Sequence, residues 1–333
     1  MLGKRIGIDL GTANSVVFME KQGIVLVEPT VVALDADDYS VVAVGNEAKI
    51  MIGKTPENII AKRPLRSGVI ASYRVTEALL KYFLNKVIGT SRLIRPELMI
   101  SVPAGITSVE RRAVRKAAIS AGARKVWLIP EPLAASIGAK LPIHTSSGNM
   151  IVNMGGGTTE VAIISLNGIV VFNSVRIAGD TLNDAVIAYV RKKHGLLVGE
   201  QTAEDIKIKI GSALPVDKPK KLEVRGRDSS SGLPRSITMD SNETVEATKS
   251  TLNRMIQAVK TVLEQTPPEL ASDVIDRGMV LSGGTALLRN IDSLLTKATG
   301  VPAHIAEDPM FCVVRGTAEA LKNLDILKKS LDS

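Results

Sequence analysis

Ile8-Asp9-Leu10-Gly11 near the start of the chain and Val152-Asn153-Met154-Gly155 near its middle carry one pattern, and in both places the pattern continues. Gly11-Thr12-Ala13-Asn14-Ser15 follows the first and Gly155-Gly156-Gly157-Thr158-Thr159 the second; after a one-residue slip, Gly23-Ile24-Val25 aligns with Gly168-Ile169-Val170. Each copy reads as a strand, a Gly/Thr turn, a second strand, a glycine turn and a third strand, which is an antiparallel meander. An internal repeat is weighed before any single motif. This one implies an α/β chain of two similar halves whose Gly/Thr turns face a common cleft; the plainer alternative is two unrelated hairpins.

The turns themselves suit phosphate. Binding a phosphate through the backbone needs N–H groups that no side chain obstructs, hence glycine, with hydroxyls that donate to the remaining oxygens. Asp9, at the end of the strand before the first turn, is placed to hold the waters of a Mg²⁺ ion that bridges phosphates. Either turn alone could be an ordinary hairpin loop; their repetition favours the phosphate reading. Ala48-Lys49-Ile50-Met51-Ile52-Gly53-Lys54-Thr55 matches a loosened P-loop pattern, but its interior is bulky and apolar, and Pro56 disfavours the helix that a P-loop threonine begins.

The chain has 333 residues, the length of roughly two domains, and 45% hydrophobic with 23% charged residues is globular composition. Aromatic residues are only 3%, too few for a nucleic-acid module built on stacking. A net charge of +8 favours acidic partners without choosing among them. Cys312 is the one cysteine, so no intrachain disulfide forms and a reducing compartment is expected; His144, His194 and His304 are too few and too scattered for a zinc cluster. The N-terminus lacks the pattern of a signal peptide, and no apolar run approaches the ~18 residues of a membrane span. The expected location is cytoplasmic, with any membrane contact peripheral at its inner face.

Helical spacing predicts helices over Thr76–Ile88, Thr181–Lys193, Thr202–Ile210, Glu243–Glu264 and Leu287–Thr299. Thr107-Ser108-Val109-Glu110 is a capping box that opens another helix, closed by Gly122. Leu98–Val102 and Gly278–Leu281 read as strands, and Asp217 to Arg235 as surface strands and loops.

Ile6-Gly7-Ile8-Asp9-Leu10-Gly11-Thr12-Ala13-Asn14, Pro103-Ala104-Gly105-Ile106-Thr107, Glu131-Pro132-Leu133-Ala134-Ala135, Gly155-Gly156-Gly157-Thr158-Thr159-Glu160, Arg176-Ile177-Ala178-Gly179-Asp180 and Thr266-Pro267-Pro268-Glu269-Leu270 together resemble the MreB family of bacterial actins. The resemblance runs in order from Lys4 to about Lys328, and more remotely the pattern is similar to the actin, Hsp70 and sugar-kinase superfamily. It implies an actin-like ATPase fold of two duplicated halves, each a mixed sheet flanked by helices, in four subdomains. These are a first core (1–32 with 62–145), a small subdomain (33–61), a second core (146–180 with 250–317) and a second small subdomain (181–249), with 318–333 returning to the first core.

The resemblance also implies ATP or ADP with Mg²⁺ between the halves. Asp9, Gly11, Thr12, Ala13 and Asn14 match the first phosphate loop, and Asn153, Gly155, Gly156, Gly157 and Thr158 the second. Glu204 and Lys207, on one helical face, match the nucleoside-binding helix, and Gly283 with Gly284 the adenosine loop. Glu131 and Thr158 match the pair that orients the attacking water. There are departures. Asn153 stands where the family has Asp, so a charge near the metal is missing, and restoring it with Asn153→Asp is expected to raise phosphate release. Pro130-Glu131-Pro132 replaces a Glu-Glu-Pro loop, and Ser67, Lys209 and Thr285 replace Asp, Glu and Gly.

Arg92-Leu93-Ile94-Arg95 places two apolar residues between arginines, suited to shallow insertion under anionic headgroups; simple packing of Leu93 and Ile94 on the domain is the alternative. Arg111, Arg112, Arg115 and Lys116 make either a solvated helix face or a contact between protofilaments, and Lys218 to Arg227 a solvated loop. The implied function is a self-polymerising, membrane-associated cytoskeletal filament of paired protofilaments that maintains cell shape with wall-synthesis proteins, hydrolyses ATP slowly, and has no nucleic-acid partner. Two other readings stand beside it: an ATP-binding filament partner or scaffold with little or no hydrolysis, and a small-molecule kinase, for which no strong Asp base stands outside the phosphate turns. A chaperone of the Hsp70 type is disfavoured by the short tail after Lys322.

Overall fold

In the computed structural model, residues 4–66, 69–70, 72–89, 95–327 and 331 are described. The chain opens with the expected meander: β1 (Arg5–Leu10), β2 (Asn14–Met19) and β3 (Gly23–Pro29), antiparallel in succession. A small three-stranded sheet in the order β5-β4-β6 follows, from β4 (Val32–Asp35), β5 (Val41–Val44) and β6 (Ile59–Lys62), with α1 (Asn46–Met51) against it. After the short hairpin β7 (Leu65–Arg66) and β8 (Val69–Ile70) come α2 (Tyr73–Ile88), β9 (Glu97–Val102), α3 (Ser108–Ser120), β10 (Lys125–Pro130) and α4 (Glu131–Gly138). The first large sheet has the order β10-β9-β1-β2-β3, with β9 parallel to both β1 and β10.

The second half repeats this plan. β11 (Asn149–Met154), β12 (Thr159–Ser165) and β13 (Gly168–Val175) form the second meander. Then come α5 (Gly179–His194), β14 (Leu196–Leu197), α6 (Glu200–Ile210), β15 (Lys221–Asp228), β16 (Pro234–Asp240), α7 (Ser241–Gln265), α8 (Pro268–Arg277), β17 (Met279–Ser282), α9 (Ile291–Thr299), β18 (Ala303–Ile305), α10 (Cys312–Lys322) and α11 (Leu324–Leu327). The second large sheet has the order β13-β12-β11-β17-β18, with β17 parallel to β11 and β18. Strand for strand, in order and direction, the two sheets match, so the repeat in sequence is a repeat in topology.

Local sequence explains several element ends. Thr107 Oγ1 accepts from the Glu110 N–H at 3.3 Å while Glu110 Oε2 accepts from the Thr107 N–H at 2.9 Å, the reciprocal cap expected at the start of α3. Asp240 and Glu243 cap α7 in the same way, and that helix stops before Pro267. One expected helix is shorter than the apolar spacing predicts: Gly284–Leu287 is a single 3-10 turn, and α9 begins only after Asn290, which takes a left-handed φ of 61°. The reason is tertiary, because the Thr285 hydroxyl donates to the Gly155 carbonyl at 2.7 Å and holds the segment against the second turn. Two expected subdomain boundaries, after 249 and 317, fall inside α7 and α10, rods that no change of composition marks.

The halves share a core. Met99, Trp127, Ile129 and Leu133 pack with Ile151, Ala162, Ile164, Val313 and Leu321, joining both large sheets through α4 and α10. These helices cross at backbone contact: a Cβ on Gly138 would lie 1.8 Å from the Cys312 carbonyl oxygen, and one on Gly316 1.8 Å from that of Ala134. β11 and β12 are buried along their whole length, as expected of strands covered on both faces.

Candidate functional site

The two Gly/Thr turns meet at the base of a cleft of about 320 Å³ between the halves. A Cβ on Gly156 would lie 2.6 Å from the Ala13 Cβ, and one on Gly157 2.5 Å from Thr12 Oγ1, so only glycine lets the turns approach this closely. Asp9, Gly11, Thr12, Ala13, Asn14, Glu131, Asn153, Gly155, Gly156, Gly157, Thr158, Glu204, Lys207, Gly283 and Gly284 all line this one cleft. Thr285 lines it too, whereas Lys209 faces away and pairs with Asp205 at 3.1 Å. Of the basic loop singled out above, Arg95 is exposed, and Arg92, Leu93 and Ile94 lie outside the described residues, as does Ser67.

At the floor, equivalent strands end in equivalent pairs. Asp9 on β1 stands beside Ser101 on β9, whose hydroxyl donates to Asp9 Oδ1 at 2.9 Å. Asn153 on β11 is in register with Ser282 on β17, whose hydroxyl donates to Asn153 Oδ1 at 3.0 Å. The Asn153 amide then donates to Glu131 Oε2 at 3.2 Å. Glu131 opens α4 and is 8% exposed. Burial pushes its pKa well above the ordinary range, and the charges of Glu160 and Asp9 add to the effect. Enclosure also raises Asp9 to about 6, against the pull of the Ser101 hydroxyl. Glu160, buried behind the turn, rises to about 7, although its carboxylate accepts from the Ala104 N–H at 3.0 Å.

The mouth is made by α1, β6 and α6. Lys49 Nζ lies 2.9 Å from Glu204 Oε2, and the Gln201 amide donates to the Lys49 carbonyl at 2.7 Å. Arg63 pairs with Glu200 and also donates to the Ala13 carbonyl at 3.4 Å, which ties the first turn to the opposite half. Lys207 donates to the Gly179 carbonyl at 3.0 Å, and burial lowers its pKa. Burial raises Asp180, against the pull of Arg63 and Lys207. Beside these charges, Ile208 (71% exposed), Leu287 (57%) and Met310 give the cleft an apolar wall.

Sequence reasoning missed Asp180, Ser101, Ser282, Lys49, Arg63 and the apolar wall as parts of this site. Asp180 lay within a quoted motif and gave a signal; the two serines are legible only once the strands are paired. Among the described residues, no group of three or more His, Cys, Asp or Glu is arranged to hold a metal directly, and no helix is long and apolar enough to cross a membrane.

Two duplicated sheets with facing glycine turns across a charged cleft define the actin type of fold. The chain belongs to the MreB/Mbl family, whose profile, described as MreB/Mbl protein, matches residues 3–329. It is 52% identical over 331 residues to the cell shape-determining protein MreB of Escherichia coli strain K12, covering 98% of this chain and 95% of that protein. It is 48% identical to the cell shape-determining protein Mbl of Bacillus subtilis strain 168, covering 99% of each. Among solved structures, MreB5 of Spiroplasma citri bound to ADP superposes with a TM-score of 0.93 at 34% identity, over 98% of each chain. The MamK double helical filament shares the fold, with a TM-score of 0.81 at 21% identity over 96% of this chain and 98% of that one.

Proposed function

We propose that this protein is an ATP-binding bacterial actin that polymerises into membrane-associated filaments for cell-shape maintenance and hydrolyses ATP slowly. The observation that carries the reading is the contact of the two glycine turns across the cleft floor, which brings a glycine-rich turn from each half to one place. The relatives named as cell shape-determining and the MreB5 structure bound to ADP support it.

The residues present fit a nucleoside triphosphate with Mg²⁺. The turns at Gly11–Asn14 and Gly155–Thr158 would hold the phosphates, Ile208, Leu287 and Met310 the base, Glu204 and Lys207 the sugar, and Asp9 the waters of the metal. When bound, Mg²⁺ neutralises phosphate charge, and the triphosphate supplies the bond that water cleaves to give ADP and phosphate. Glu131 and Thr158 would orient that water, with the Glu131 carboxylate accepting its proton. The four-subdomain division belongs to this reading, with the small sheets around β4 and β15 as the movable lobes.

The filament is a homopolymer of paired protofilaments on the anionic inner face of the plasma membrane, in contact with wall-synthesis proteins. Leu93 and Ile94, flanked by Arg92 and Arg95, provide the membrane contact. Two buried aliphatic side chains contribute about 3–6 kcal/mol at most, so a single subunit binds weakly and polymerisation supplies avidity. Pelleting with anionic liposomes, run beside phosphate release, tests this. The expected result is nucleotide-dependent pelleting with slow phosphate release, and a chain that stays monomeric with ATP, Mg²⁺ and liposomes overturns the filament reading. The neutral Asn153 beside a strongly desolvated Glu131 favours one second reading, a filament scaffold with little hydrolysis, which pelleting without phosphate release would select.

A further inference from the structure

We propose that Thr30 and Thr285 are positioning residues for the nucleotide, one for each glycine turn: each hydroxyl holds the carbonyl of the glycine that opens a turn and so fixes the peptide that follows. This rests on the reading that the turns hold phosphate. Thr30 Oγ1 donates to the Gly11 carbonyl at 2.7 Å, and Thr285 Oγ1 donates to the Gly155 carbonyl at 2.7 Å. Gly11 and Gly155 are equivalent in the repeat, but the two threonines are not. Thr30 directly follows β3 in the first meander, whereas Thr285 lies in the 3-10 turn after β17, 130 residues beyond Gly155. The same bond reaches the same atom of each turn from unrelated segments, so the duplication did not supply it.

Holding that carbonyl matters because glycine leaves the turn free. The peptide between Gly155 and Gly156 has glycine on both sides, and its plane can turn over at little steric cost. In a trans peptide the C=O and the next N–H point in opposite directions, and no cis peptide occurs among the described residues. Fixing the Gly155 carbonyl toward Thr285 therefore fixes the Gly156 N–H away from it; in the first turn, Thr30 does the same for the Thr12 N–H. The start of α5 works with Thr285: the Gly179 N–H donates to the Gly155 carbonyl at 3.2 Å, and the Asp180 N–H to the Gly156 carbonyl at 2.8 Å. Thr30 is itself oriented. Its one hydroxyl proton goes to Gly11, so Ser15 Oγ, 2.8 Å away, is the donor to it. Thr30 and Thr285 are 0% and 6% exposed, so bulk water does not make good a lost hydrogen bond.

Glycine is the residue that the family resemblance leads one to expect at 285, so the second clamp is this chain's own addition. The loop that carries it is seated independently. A Cβ on Gly283 would lie 2.2 Å from the Met154 carbonyl oxygen, so the two backbones already touch there. Removing the Thr285 hydroxyl alone loosens the turn without unseating the loop.

The test is the affinity of the full chain for ATP and ADP, read by displacement of a fluorescent ATP analogue. Thr285→Val keeps the shape of the side chain and removes the hydroxyl; it should weaken both nucleotides about 3- to 10-fold, the range for one neutral hydrogen bond. Thr285→Ser keeps the hydroxyl and should stay within about two-fold of wild type. Thr30→Val and Thr30→Ser should divide in the same way. The serine variants separate a held carbonyl from packing, because serine lacks the methyl group that valine retains. Affinity of Thr285→Val within about two-fold of wild type, or Thr285→Ser as weak as Thr285→Val, overturns the proposal, and the same outcomes at Thr30 overturn it for the first turn. If Thr285→Val does not fold, Thr285→Gly decides: affinity within about two-fold of wild type overturns the proposal, and a larger loss supports it. Wild-type protein that does not bind the analogue is a different result, which removes the nucleotide reading of the cleft and this proposal with it.

Discussion

Asp9 in the first half and Asn153 in the second stand at the same strand end, in the same register to a neighbouring parallel strand, and each accepts from a serine hydroxyl. The backbone of one repeats that of the other; the side chains differ by an oxygen against an NH₂. That difference divides the labour of the floor. The first half keeps a carboxylate that can hold the hydration shell of a cation, and the second gives up charge for a donor that holds Glu131. Duplication supplied two equivalent positions, and chemistry separated them.

Breaking the asymmetry at Asp9 should have the largest effect. Asp9→Asn leaves both strand ends neutral, and phosphate release should fall by about 100-fold or more, with loss of Mg²⁺ dependence. The exchanged pair Asp9→Asn with Asn153→Asp keeps the charge and moves it across the cleft. Its turnover should be no better than that of Asp9→Asn alone, and recovery toward wild type in a phosphate-release assay would show the halves to be interchangeable.

A medium effect is expected from pH. A carboxyl whose pKa is higher in the folded than in the unfolded state binds more protons when folded, so its ionisation costs stability as pH rises between the two values. For Glu160 that window runs from the ordinary 4.5 to about 7. The nucleotide-free protein should therefore lose thermal stability from pH 5 to pH 8. Glu160→Gln, which still accepts from the Ala104 N–H, should flatten that loss and raise the midpoint at pH 8. Equal slopes for wild type and variant in a thermal melt series would refute the assignment.

The smallest effect belongs to the mouth, where the comparison is between enclosed floor and open rim. The Lys49 and Glu204 side chains are 32% and 21% exposed, and such pairs contribute about 0–1 kcal/mol. Lys49→Ala frees Glu204 for the nucleotide, so ATP should bind tighter, by less than about five-fold. Titration with a fluorescent ATP analogue measures it; weaker binding would mean that Lys49 touches the nucleotide itself.

Much of the fold was legible because its signals are local. The glycine turns that mark the meanders, the capping box at Thr107 and the prolines after α7 each act within a few residues, and β1 to β3, α3 and the end of α7 follow from them, whereas the Asp240 cap that starts α7 went unread. Most residues that line the cleft were legible too, since a glycine-rich turn is a short contiguous motif. What was not legible depends on chain segments far apart. Helical spacing placed a helix from Leu287, and the Thr285 bond to the Gly155 carbonyl delayed it to Ile291. No periodicity announces that Gly138 and Gly316 let α4 and α10 cross at backbone contact, or that Glu204 closes on Lys49.

Residue types alone determined that this chain has two similar halves, two glycine-rich turns, a carboxylate at one strand end and an amide at the other, and a family membership that its motifs already declare. Only the tertiary structure decided what the amide does. From composition, Asn153 is an absent charge; beside Ser282 and Glu131 it is a donor with a direction, because a side-chain amide offers both an acceptor and a donor, and which neighbour meets which is set by packing.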